Sequence, residues 1–274
     1  SGYIKLLMSE NGIVDGTYIE PFAGGAGVAL NLLLDGTVSK VKINDKNRAI
    51  YAFWDALLNE TDTFCDLIRN TPVTIEEWKR QRIIYLSEES YGVSLGFATF
   101  FLNRTNISGI LTGGVIGGAA QNGKWKIDAR YNKENLIKRI ELIANKRKCV
   151  EVYNDDIFVF IEKTLQKEHG NSFIYFDPPY FLQGSRLYEN HFKEDDHVRL
   201  AKCIHKNIRC KWIVTYDDVP QIGEIYNSNR KKSFALNYSA SRKYMGNEII
   251  IYSDDVIIPS RRRTEKEKVK LLFK

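Results

Sequence analysis

The run Thr17-Tyr18-Ile19-Glu20-Pro21-Phe22-Ala23-Gly24-Gly25-Ala26-Gly27 passes from a strand signal into a glycine loop, and residues 28–34 continue it as a helical pattern. Glycines at such a junction let a ligand approach the backbone closely, and they serve equally well to pack a helix tightly on a strand. The dinucleotide-binding fingerprint does not fit. Gly25-Ala26-Gly27-Val28-Ala29-Leu30 puts Leu where the third small residue belongs, so a nicotinamide oxidoreductase is the weaker reading.

Outward from this junction, short runs rich in β-branched and aromatic residues recur at 40–45, 149–154, 172–177, 211–216, 233–238 and 248–252. Helical patterns such as 48–58 and 198–205 lie between them, and strands alternating with helices predict an α/β fold with a mainly parallel sheet. Ligands of such sheets bind beyond the carboxyl ends of the strands. Polar residues there become site candidates. Ile43-Asn44-Asp45 and Asn154-Asp155-Asp156 both end strand signals. An acidic residue at such a place either accepts the ribose hydroxyls of a bound nucleoside or caps the next helix.

Asp177-Pro178-Pro179-Tyr180 follows the apolar run 173–176. Two prolines fix φ, remove two N–H donors and push the residues before them into extended conformations. The expected result is a stiff corner presenting one carboxylate, free carbonyls and one aromatic ring.

The alternation breaks between about residues 55 and 148, which predicts a second, inserted, mostly helical domain. Thr74-Ile75-Glu76-Glu77 reads as a capping box opening a helix, and residues 133–145 read as another helix with Leu136, Ile140 and Ile143 on one face. Residues 107–121 are Gly-rich, uncharged and too broken for a central strand.

The chain has 274 residues, 43% of them hydrophobic, which supplies a sizeable core and excludes a disordered polymer. Its net charge of +6 is unevenly spread. Residues 121–149 hold nine Lys/Arg against three Asp/Glu, and residues 261–274 hold seven against two. Such concentrations attract phosphate backbones, or else are solvated helix faces and a frayed tail. Four cysteines without a Cys-x-x-Cys pair, and no apolar run long enough for a membrane span, suit a reducing cytoplasm. His191, His197, Cys203, His205 and Cys210 match no zinc spacing, so no metal is expected.

Together these motifs resemble the Dam-like family of DNA adenine-N6 methyltransferases over nearly the whole chain. The resemblance rests on residues 20–27, on Phe101-Leu102-Asn103-Arg104-Thr105 with Gly109 beyond, and on Asp177-Pro178-Pro179-Tyr180. Tyr238-Ser239-Ala240, leading through Gly246-Asn247-Glu248 into an apolar strand, is similar to the family's last hairpin. The resemblance implies a Rossmann-like S-adenosylmethionine (SAM) dependent methyltransferase fold, with a mixed, mostly parallel sheet and a C-terminal antiparallel hairpin. Residues 1–54 and 149–260 would form the catalytic domain, 55–148 the DNA target-recognition domain and 261–274 a basic tail.

In that reading Asp177, Pro178, Pro179 and Tyr180 carry catalysis on an adenine flipped out of double-stranded DNA. Glu20, Pro21, Phe22, Ala23, Gly24, Gly25 and Gly27 hold the methionine part of SAM, Asp45 its ribose and Asp156 its adenine, with Asp155 the alternative, while Asp177 also borders the cofactor. Asn103 and Arg104 begin a loop approaching the DNA, and Lys124, Lys126 and Arg130 of the basic stretch contact phosphates. The family's opening Lys and Gly-Gly-Lys-containing segment would precede Ser1-Gly2-Tyr3. The expected protein is a monomeric cytoplasmic enzyme, bacterial or phage-encoded. Methylation of cytosine N4 or of RNA, or DNA binding with weak catalysis, are the alternatives.

Overall fold

The computed structural model describes residues 2–182, 192–238 and 244–259. The expected basic tail, Ser239, Ala240 and His191 lie outside the described residues. Each strand signal becomes a strand: β1 Thr17–Glu20, β2 Lys40–Asn44, β3 Val150–Tyr153, β4 Ser172–Phe176, β5 Lys211–Asp217, β6 Arg230–Tyr238 and β7 Tyr244–Tyr252. They form one seven-stranded sheet in the order β3-β2-β1-β4-β5-β7-β6. The first five named in that order are parallel, while β7 runs antiparallel to both β5 and β6. The fold is therefore the mixed, mostly parallel α/β sheet that the alternation and the resemblance imply.

Period-2 alternation sorts the side chains into faces. Ile19, Ile174, Phe176, Trp212, Val214, Tyr216, Ile249 and Ile251 share one core with Phe160 and Ile161 of a helix at Ile157–Lys163 and with Leu200 and Ile204 of a helix at Glu194–Asn207. Full burial of such a side chain contributes roughly 1.5–3 kcal/mol, so this layer is a principal source of stability. All of β4 is buried, as expected of a central strand covered on both faces. The opposite face carries the stacked pair Tyr18 and Phe173. In the Glu194–Asn207 helix the buried face is led by His197 and Leu200, with Val198 only partly covered.

The chain divides into one unit of residues 1–46 and 149–274 and a second of residues 47–148. The division falls at 46/47 and not at 54/55, because helix α3 (Arg48–Asn59) packs within the second unit. Phe53 of α3 stacks on Phe100 of helix α6 (Gly92–Thr105). A Cβ placed at Gly96 of α6 would lie 2.4 Å from the Ala52 carbonyl oxygen of α3, so only glycine permits this crossing. Helices α4 (Thr61–Asn70), α5 (Ile75–Leu86) and α7 (Lys133–Ala144) complete the unit. The expected capping box at α5 forms in one direction only. Thr74 Oγ1 accepts the Glu77 N–H at 3.2 Å, but the Glu77 carboxylate is taken by Arg80 and Gln81 on the next turn.

Candidate active site

Parallel β1 and β4 are neighbours, and the chain leaves β1 toward β2 on one side while β4 and β5 lie on the other. This is a topological switch point, the place where ligands of such sheets bind beyond the carboxyl ends. Both decisive motifs lie there, the glycine loop after β1 and the proline corner after β4.

Glu20, the last residue of β1, is buried, and its Oε1 accepts the Ala29 N–H at 3.0 Å. Ala29 lies in the first turn of helix α2 (Gly27–Leu34), whose N-cap, Ala26, has no capping side chain. Glu20 thus satisfies an orphan donor at the positive helix end. Burial pushes its carboxyl up to about 8, against the lowering effect of that hydrogen bond. Between them, Gly24 adopts φ +47 and Ala26 φ 44, left-handed values that close the loop. A Cβ at Gly24, Gly25 or Gly27 would meet nothing within 4 Å, so open space borders the loop.

The ends of β1, β2 and β3 are tied by Asn44, which is 1% exposed. Its Nδ2 donates to the Pro21 and Asp155 carbonyls, both at 3.1 Å, and its Oδ1 accepts the Asp155 N–H at 2.9 Å. Ala23 N–H donates to the Asn44 carbonyl, and Phe22 packs edge-on against Phe192. Asp45 is not the cap of α3. That role belongs to Asn47, which accepts the Ala49 N–H, while Asp45 Oδ2 accepts the Gly24 N–H at 2.9 Å. Asp156 does cap its helix, accepting the Phe158 N–H at 3.0 Å, and it pairs with Lys46 at 2.9 Å.

At the corner, Asp177 stands one step beyond the last register pair of β4 and β5, Phe176 with Val214. The Thr215 hydroxyl therefore reaches it, donating to Asp177 Oδ1 at 2.7 Å, and lies 3.1 Å from the Tyr175 hydroxyl. Burial pushes the Asp177 carboxyl up to about 6, with the Thr215 bond opposing. Pro178 and Pro179 are buried and Tyr180 is partly exposed. Beyond them, Asp217 accepts the Phe181 and Leu182 N–H groups, and Glu248 accepts the Tyr180 hydroxyl. Thr215, Asp217 and Glu248 were not among the residues read from sequence as site candidates. Only the strand register brings them here.

The family described as D12 class N6 adenine-specific DNA methyltransferase matches residues 2–242, a span that contains the glycine loop and the proline corner. The chain belongs to this family. A D12 methyltransferase takes its methyl group from SAM and acts on DNA, which makes this protein a DNA methyltransferase. It is 28% identical over 206 residues to the Type II methyltransferase M.MjaIII of Methanocaldococcus jannaschii, covering 69% of this chain and 68% of the relative. Among solved structures it is similar to the rRNA methyltransferase aviRa from Streptomyces viridochromogenes, at 13% identity and TM-score 0.43, covering 93% of this chain and 83% of that one. It is also similar to a SAM-dependent methyltransferase from Agrobacterium tumefaciens, at 10% identity and TM-score 0.40, covering 90% and 59%.

In the second unit of this D12 methyltransferase, the basic side chains have distinct surroundings. The Arg130 guanidinium donates to the carbonyls of Asn103, of Arg104 at 3.3 Å and of Asn106 at 3.0 Å, where α6 ends. Lys126 donates to the Gln121 carbonyl. These two expected phosphate contacts are thus engaged within the unit. Asn103 Nδ2 donates to the Gly109 carbonyl at 3.2 Å, pinning the loop that follows. Arg104 is half-buried, its Nε has no hydrogen-bond partner among the described residues, and burial together with Arg130 and Arg139 lowers its pKa. Lys124 lies over the ring of Trp125, which is 66% exposed. No helix among the described residues is long and apolar enough to cross a membrane.

Proposed function

We propose that this methyltransferase modifies the exocyclic N6 amine of adenine in double-stranded DNA, on a base flipped out of the helix and held at the Asp177 corner. The observation that carries this reading is the pairing of a carboxylate and two donor-free prolines with an open glycine loop, at adjacent strand ends.

The residues fit SAM. Open space beside Gly24, Gly25 and Gly27 leaves room for the methionine part against residues 20–27, the Asp177 carboxylate offers negative charge to a cation, and a bound cation would favour ionisation of Glu20 as well. Asp45 is assigned to the ribose hydroxyls. The adenine amine goes to Asp156, which keeps lone pairs beyond those used by Phe158 and Lys46, with Asp155 at the same strand end as the alternative. When bound, SAM supplies an activated methyl group on a sulfonium.

An adenine amine is a poor nucleophile because its lone pair is delocalised into the ring. Asp177 Oδ2, to which no described group donates, accepts one amine hydrogen and the Pro178 carbonyl the other, which favours a pyramidal nitrogen. Positive charge grows on that nitrogen during transfer, so the fixed carboxylate stabilises the transition state more than the ground state. Thr215 holds the carboxylate in place, and the remaining work is alignment. Tyr180 stacks on the flipped base, which cannot be reached inside the duplex.

DNA is held by phosphate contacts from the second unit, with Arg104 and Lys124 the leading cations. Asn103, Lys126 and Arg130 brace the end of α6, which carries Arg104, and the stretch after it, which carries Lys124. The reducing cytoplasm suits four free cysteines. Digesting methylated duplex and separating the nucleosides tests the reading. N6-methyladenine is expected, and N4-methylcytosine as the sole product would overturn it.

A further inference from the structure

The proline corner cannot anchor itself. Pro178 and Pro179 have no N–H groups, so two consecutive backbone donors are missing where the loop most needs fixing. The next two donors beyond Tyr180, the Phe181 and Leu182 N–H groups, go to one carboxylate, at 2.8 Å to Asp217 Oδ1 and 2.9 Å to Asp217 Oδ2. The Tyr180 hydroxyl goes to another, at 2.5 Å to Glu248 Oε1.

Asp217 and Glu248 are direct register partners across the antiparallel β5 and β7. Asp217 is 9% exposed and Glu248 1% exposed. Two carboxylates opposite each other repel, and burying each without donors is costly. As a purely structural pair they are a poor choice, since apolar residues would pack better at this register. Donors from the corner compensate the pair, and in exchange the pair fixes the corner.

We propose that Glu248, with Asp217 beside it, is a positioning residue for methyl transfer. Asp217 sets the path of the chain after the prolines, and Glu248 sets the rotation of the Tyr180 ring, so that its face is presented to the flipped base. Neither residue touches the reacting atoms. The inference rests on the reading of residues 177–180 as the transfer corner.

The test is a double-mutant cycle in the full chain, with Glu248→Gln, Glu248→Leu, Tyr180→Phe and the combinations. The readouts are single-turnover methyl transfer, SAM affinity and the fluorescence of 2-aminopurine placed at the target adenine. Glu248→Leu should slow transfer roughly ten- to a hundredfold, the scale of a misplaced reacting group. SAM affinity should hold, and less of the 2-aminopurine signal should be quenched by stacking on Tyr180. Glu248→Gln should recover part of the rate, because its amide oxygen still accepts the hydroxyl. In the Tyr180→Phe background, Glu248→Gln should have no further effect. If Glu248→Leu fails to fold, the Gln and Phe arms still decide. Equal losses in both backgrounds, or a folded Glu248→Leu with the full rate and unaltered fluorescence, would overturn the proposal. An unmodified protein that methylates no adenine would instead overturn the reading on which it rests.

Discussion

Glu20 closes β1 and Asp177 follows β4, the strand beside it, so two carboxyls meet at one end of the sheet and the charge of Asp177 adds to burial in raising Glu20. Glu20 is pushed up to about 8 and Asp177 to about 6. Unfolded carboxyls titrate near ~4, so the folded protein binds more protons over this range, and its stability falls as pH rises from about 4 to about 8. Glu20→Gln removes the larger part. Denaturant unfolding of the SAM-free protein should show a flatter pH dependence for this variant, and a gain of about 1 kcal/mol or more at pH ~9. An unchanged pH dependence would show that Glu20 ionises normally.

Asp177→Ala should reduce single-turnover methyl transfer by roughly a hundredfold or more, the scale of one preorganised electrostatic group. SAM and DNA affinities should change little. Because the ionised form is the acceptor, kcat/KM should fall about tenfold per pH unit below about 6. Thr215→Val removes the hydroxyl that lowers this pKa, so the acid limb should move to higher pH. An acid limb that stays in place in Thr215→Val would separate Asp177 from the titration.

Asp45 joins two candidate roles, holding the Gly24 N–H and accepting ribose hydroxyls. Calorimetry should find SAM bound more weakly by roughly 1–3 kcal/mol in Asp45→Ala. Asp45→Asn should lie between, since its amide oxygen still accepts from Gly24. Equal affinity in all three proteins would remove Asp45 from the site.

Arg130 and Lys124 should part company. Arg130 caps carbonyls at the end of α6, so Arg130→Ala should cost about 1–2 kcal/mol of stability. Lys124→Ala should leave stability alone and reduce the slope of log K against log salt for DNA by about 0.9. Salt titrations of both variants, with melting curves alongside, check the assignment. The reverse pattern would make Arg130 the phosphate contact.

Much of this was legible before any coordinates, for identifiable reasons. Strands such as Ser172–Phe176 announce themselves because a central parallel strand must be apolar on both faces. Asp177 could be read because prolines constrain the backbone locally. Asp45 stayed open between cap and ligand, and the hydrogen bond to Gly24 settles which neighbour it serves, because that depends on strand order. Thr215, Asp217 and Glu248 were illegible for the same reason. Thr215 sits inside the apolar run of β5 and Asp217 and Glu248 at the ends of such runs, and their meaning comes from a register set across more than thirty residues of chain. Charge density in the basic stretch likewise does not reveal that Arg130 donates to carbonyls at the end of α6.

The antiparallel placement of β7 also has a temporal side. During synthesis the ribosome delivers Asp177 to Tyr180 well before Glu248, so an emerging chain holds the corner without its last anchor and with the edge of β5 still unpaired. Such an edge is a template for pairing with other chains. Completion of the final hairpin strand then does two things in one step. It covers the edge of β5 and orients the tyrosine, so the corner receives its last anchor in the same step that pairs the strand beside it.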